Sequence, residues 1–142
     1  MSQPPLKTVL IVDDNAVIRE VLRGMIGHDP RLKFLGQAAT GEAAMDAIRS
    51  SQPDLVCLDV MLPGMDGLEV LREIRSSHPA TRVILITSHS SSEVVENAMK
   101  AGANGFIVKP FSANKLLNTI YTALGMSAPG EEGIKRDPTP PA

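Results

Sequence analysis

The chain has 142 residues, enough for one domain with its own core and little more. Its 14 Lys+Arg against 16 Asp+Glu leave a net charge of -2, which gives no electrostatic reason to expect nucleic acid or an anionic membrane as partner. The lone cysteine, Cys57, excludes an internal disulfide or a multi-cysteine zinc site, and it lies inside an apolar run where a buried packing role is expected. The N-terminal Met1-Ser2-Gln3-Pro4-Pro5 is polar, and no apolar run approaches the length of a membrane span, so a cytoplasmic location is the expectation.

Short apolar runs alternate with segments of helical period, the pattern of a parallel sheet covered by helices. Val9-Leu10-Ile11-Val12 forms the first strand and stops on Asp13-Asp14. Asn15 then caps a helix whose inner face is Ile18, Val21, Leu22, Met25 and Ile26, with Gly27 near its end. Lys33 to Ala38, resting on Phe34 and Leu35, is the faintest strand. Thr40-Gly41-Glu42 opens an Ala-rich helix whose inner face is Ala43, Ala44, Ala47 and Ile48. Leu55-Val56-Cys57-Leu58, after Pro53, ends in Asp59. Asp66 and Glu69 read as a capping box for a third helix through Leu71 and Ile74. Val83-Ile84-Leu85-Ile86 ends in Thr87, and Ser90 with Glu93 caps a helix carrying Val94, Val95, Ala98 and Met99. Phe106-Ile107-Val108 ends in Lys109-Pro110, and Ser112 caps the last helix, built on Leu116, Leu117, Ile120 and Leu124. His28, His78 and His89 have no metal-ligand spacing and are expected at the surface; Met25, Met45 and Met99 are expected in the packing.

The pattern is therefore (βα)5, an α/β doubly wound, flavodoxin-like fold. The order 2-1-3-4-5 fits best, because the strands ending in Asp13-Asp14 and Asp59 then flank the topological switch point. Residues 6–125 make up this domain. Residues 126–142, with four prolines and two glycines, read as a disordered tail in which solvation is a better account than partner binding.

Three carboxylates, a hydroxyl and an ammonium thus meet at the carboxyl edge of one sheet. Carboxylates packed this closely raise one another's pKa unless a cation sits among them, and Mg2+ suits such hard oxygen donors. Asp59 stands alone on the central strand before a Pro- and Gly-bearing loop and reads as a nucleophile towards phosphorus; Asp13 and Asp14 read as metal ligands. Lys109 is placed to hold a phosphoryl oxygen as a point charge, and Thr87 to donate a hydrogen bond to another. Taken singly, an Asp at a strand end is usually a turn or cap residue, and a lysine is usually a solvated one. The case rests on their convergence.

Val12-Asp13-Asp14, Asp59-Val60-Met61-Leu62-Pro63-Gly64-Met65-Asp66-Gly67, Thr87-Ser88 and Lys109-Pro110-Phe111 together closely resemble the receiver domain of bacterial two-component response regulators, over Lys7 to Leu124. The resemblance implies that Asp59 accepts a phosphoryl group from a histidine kinase's phosphohistidine. It implies Mg2+ held directly by Asp14, Asp59 and the Met61 carbonyl, with Asp13 acting through water, and a cis Lys109-Pro110 bond. It further implies a switch in which Thr87 moves onto the phosphoryl group, the aromatic at Phe106 turns inward, and the face of the fourth helix, fifth strand and fifth helix changes. Phe106 stands where many relatives carry Tyr, so it offers partners no hydroxyl. Met61 and His89 lie at positions that in receivers affect the lifetime of the phosphoaspartate, and Met61 is expected to slow self-dephosphorylation.

The leading expectation is a single-domain response regulator, a phospho-accepting switch and not an enzyme on other substrates. Its partners would be a sensor histidine kinase or phosphotransfer protein and a downstream protein, without direct nucleic acid binding. Whether phosphorylation yields a homodimer stays open at this point. A haloacid-dehalogenase-type phosphohydrolase would need an Asp where Met61 stands. A docking-only module would not need all five chemical residues, and a flavodoxin-like cofactor site would need a phosphate-cradling loop after the first strand, where this chain is acidic.

Overall fold

A computed structural model describes residues 5–88 and 91–128. The elements run β1 (Lys7–Val12), α1 (Ala16–Ile26), β2 (Leu32–Ala38), α2 (Gly41–Ser51), β3 (Leu55–Asp59), α3 (Gly67–Ser77), β4 (Arg82–Thr87), α4 (Ser92–Lys100), β5 (Gly105–Val108) and α5 (Ala113–Leu124). All strand pairings are parallel, in the order β2-β1-β3-β4-β5. This is the flavodoxin-like (βα)5 fold that the alternation of apolar runs and helical periods implied.

Side chains alternate across a pleated strand, and here both faces are covered, so the inner lengths of the three central strands, residues 9–12, 55–58 and 83–86, are apolar on both faces. Val9, Ile11, Leu55, Cys57, Ile84, Ile86 and Ile107 pack with α1 and α5. Leu10, Val12, Val56, Leu58, Val83 and Leu85 pack with α2, α3 and α4. Burial pushes the Cys57 thiol up to about 12, which keeps it protonated and makes it a packing residue.

The caps at Asn15, Asp66 and Ser112 accept backbone N–H groups from the first turns of α1, α3 and α5, as their side chains suggested. For α4 the cap is Ser91, whose hydroxyl accepts from Val94 N–H; Ser90 and His89 lie outside the described residues. Three residues expected inside are exposed: Val21 (45%), Ala43 and Met99 (52%). Each is the chain neighbour of a buried anchor (Leu22, Ala44, Ala98) and so points about 100° away from it round the helix. Met45 completes the buried face of α2 in place of Ala43. His28 is exposed and His78 half-buried.

β2 is irregular. Its register with β1 jumps from Val9↔Phe34 to Leu10↔Gly36, which leaves Leu35 as an extra residue and explains the faint strand signal. Met126 and Ser127, the first residues of the expected tail, lie against the body. Met126 packs against the core on the α1 and α5 side of the sheet, and the Ser127 carbonyl accepts from Arg31 Nη1 at 2.7 Å. The rest of that expected tail, from residue 129, lies outside the described residues.

Candidate functional site: an acidic cluster at the carboxyl edge of the sheet

Strand register brings the site together. Val12 pairs with Leu58, so Asp13 and Asp59 leave the sheet side by side. Asp59 pairs with Ile86, and Thr87 with Val108, which sets Thr87 and then Lys109 just beyond it on the next strands. Residues as far as 96 positions apart in the chain thus share one edge.

Asp13 and Asp59 are buried and Asp14 is exposed. One carboxylate oxygen from each lies within 4.8 Å of the others, a cluster able to coordinate a divalent metal. Lys109 Nζ stands 3.2 Å from Asp13 Oδ2 and 3.5 Å from Asp59 Oδ2. The other oxygens serve their own turns. Asp13 Oδ1 accepts the Asn15 N–H at 2.9 Å, and Asp59 Oδ1 accepts the Met61 N–H at 3.1 Å. Burial pushes the Asp59 carboxyl above the ordinary carboxylate range. The Met61 N–H opposes this, the Asp13 charge adds to it, and Lys109 pulls it back.

The loop after β3 depends on Gly67. A Cβ there would lie 2.6 Å from Val60 Cα and closer still to the Asp59 carbonyl, so α3 can begin against the strand end only without a side chain. The Gly67 N–H closes the loop on the Val60 carbonyl at 2.8 Å. Met61 is the loop's exposed apolar residue, at 59%.

Thr87 is fully buried at the end of β4, and its carbonyl accepts the Lys109 N–H at 2.7 Å. The Lys109-Pro110 bond is cis. Phe106 is half-buried against the α2–α3–α4 side of the core. Among the described residues, Asp13, Asp14, Asp59, Thr87 and Lys109 therefore stand at this edge, with Met61 beside Asp59. The motif reading passes over Arg19, which donates through Nη1 to the Asp13 carbonyl at 2.7 Å and through Nε to Gln37 Oε1 at 3.0 Å. Its only sequence signal is an arginine one turn into the helix that follows the acidic pair.

The response regulator receiver domain model matches residues 9–121. Among curated proteins, the nitrate/nitrite response regulator NarL of Escherichia coli is 31% identical over 140 residues, covering 99% of this chain and 63% of that protein. The chain spans less than two thirds of the length of this and the next curated relatives it matches. Among solved structures, the receiver domain of a NarL regulator from Mycobacterium tuberculosis superposes with a TM-score of 0.82 at 30% identity, covering 86% of this chain and 98% of that one. A CheX–CheY–BeF3–Mg2+ complex from Borrelia burgdorferi aligns at a TM-score of 0.78 and 30% identity, covering 82% and 87%. By sequence match and by fold, this chain belongs to the response regulator receiver domain family.

Proposed function

We propose that Asp59 is a phospho-acceptor and that the domain signals through the state of that residue. A carboxylate oxygen of Asp59 attacks phosphorus, the P–N bond of a phosphohistidine breaks, and the imidazole departs with its electron pair and takes up a proton. The partner on the donor side is a sensor histidine kinase or a phosphotransfer protein. The observation that carries this reading is Lys109 Nζ, poised within 3.5 Å of two buried carboxylates at the edge where such folds place their chemistry.

The donor set is all hard oxygen and fits Mg2+, which Asp14, Asp59 and the Met61 carbonyl would hold directly and Asp13 would hold through water. When bound, Mg2+ supplies positive charge among three carboxylates that otherwise repel a phosphoryl group. Lys109 offers its ammonium to one phosphoryl oxygen, and Thr87, next along the edge, offers a hydroxyl to another. Movement of Thr87 onto the phosphoryl group opens space for the Phe106 ring, and the face of α4, β5 and α5 changes for a protein partner. Residues 6–125 form this unit, and Met126 and Ser127 continue its packing; a cytoplasmic setting agrees with a kinase donor.

Intact-mass spectrometry after incubation with acetyl phosphate tests the reading. A single phosphoryl adduct is expected in the presence of Mg2+, lost with chelator and lost in Asp59→Asn. A folded chain that gains no adduct with Mg2+ present, or an adduct that survives Asp59→Asn, would overturn it.

A further inference from the structure

We propose that Arg19 is a positioning residue for the metal site, fixing the peptide between Asp13 and Asp14 so that the Asp14 carboxylate faces the cluster; this rests on the Mg2+ reading above. Asp13 and Asp14 are consecutive, and one is buried while the other is exposed. The orientation of the peptide plane between them decides where Asp14 points. Three hydrogen bonds bracket that plane. The Asp13 N–H donates to the Ala38 carbonyl on β2 at 3.1 Å, and the Asn15 N–H closes on Asp13 Oδ1. The Asp13 carbonyl, one of the two polar groups in the plane itself, accepts from Arg19 Nη1 at 2.7 Å.

The guanidinium is planar and rigid, so a second acceptor fixes its direction. That acceptor is Gln37 Oε1 on β2, 3.0 Å from Nε. Arg19 itself stands at a defined height, because its backbone N–H donates to the Asn15 carbonyl in the first turn of α1. Helix, edge strand and acidic turn are therefore joined through one side chain. Metal sites lose affinity when ligands are displaced by fractions of an ångström, and groups that only orient ligands have correspondingly large effects.

The inference has a sign that charge alone does not give. Arg19 is a cation beside a cation site, so on Coulomb grounds its removal would tighten Mg2+ binding. Positioning requires the opposite.

The test is calorimetric titration of Mg2+ into the full chain, wild type against Arg19→Met, Arg19→Lys and Gln37→Ala, with thermal unfolding of each. In Arg19→Met the dissociation constant is expected to rise about tenfold. Arg19→Lys, which keeps one donor, falls between it and wild type, and Gln37→Ala weakens binding in the same direction but less. With acetyl phosphate, Arg19→Met should need more Mg2+ to reach an unchanged maximal rate of phosphorylation. Equal or tighter Mg2+ binding in folded Arg19→Met overturns the proposal. If that variant does not fold, unchanged binding in Gln37→Ala overturns it. A wild type without saturable Mg2+ binding overturns the metal reading and this inference with it. Wild-type binding with unchanged variants removes only the role of Arg19.

Discussion

Asp13 and Asp59 each divide their oxygens between a local turn and Lys109. The bland reading of an acidic residue at a strand end, as a turn former, and the sharp one, as part of a reactive cluster, therefore hold for the same side chain. Met61 is next in importance. Its N–H anchors Asp59, while its side chain projects into solvent at the mouth of the site, where a thioether orients water poorly. Met61→Asn would place an amide there, and self-dephosphorylation of the phosphorylated chain, followed by loss of the mass adduct over time, is expected to quicken. An equal or slower rate would count against a role for Met61 in lifetime. The motif residues were legible in the sequence because each ends an apolar run. Arg19 was not, because its partners are a backbone carbonyl and a residue on another strand, and neither leaves a mark in spacing.

Among the elements, α4 is the most lightly seated. Ala98 is its one buried residue, and Met99 faces outward, where helical periodicity had placed it in the packing. Its C-terminal junction is held from α3: Arg75 donates to the Gly102 carbonyl at 2.8 Å and to Asn104 Oδ1 at 2.6 Å. A helix with so little buried surface can shift at low cost, as the proposed switch needs. The turn from α1 to β2 is the contrary case. Arg31 bonds both oxygens of buried Asp29, from Nη2 at 2.7 Å and from Nε at 3.1 Å, and reaches the Ser127 carbonyl beyond α5. Above all the Arg31 side chain holds the Asp29 carboxyl down, from an ordinary 3.8 to about 2, against burial, which pushes it up. With the folded value depressed, the stabilisation is complete above 3.8 and is lost as pH falls through 2. Acid unfolding of wild type should therefore steepen in that window. Asp29→Asn should flatten the dependence there and lose about 1–2 kcal/mol at neutral pH by chemical denaturation. No spacing rule announces this latch, since Asp29 and Arg31 look like an ordinary surface turn until α5 is packed over them.

For the molecule as a whole, the cluster is a cost to the fold that a cation bound there would offset. The Asp59 carboxyl is raised by burial, so the folded state binds its proton more readily than the unfolded chain does. Stability from this group accordingly falls as pH rises from the ordinary carboxylate value through the raised folded one. Without metal, Asp59→Asn should melt higher than wild type at neutral pH, and the difference should shrink in acid. Mg2+ should raise the wild-type melting temperature more than that of the variant, the wild type gaining about 2.7 kcal/mol of stability at a hundredfold excess over its dissociation constant. Equal melting temperatures with and without Mg2+ would speak against the metal site.

The sequence by itself determined the elements, their alternation and the identity of the reactive strand ends. Period, caps and apolar runs are local, and a strand buried on both faces must be apolar until it leaves the sheet. Tertiary structure decided which strand ends stand level, which residue beside each buried anchor faces water, and which side chains orient the acidic turn. These depend on parallel register between distant strands and on the angle at which a helix meets the sheet, and neither is written in any one segment of the chain.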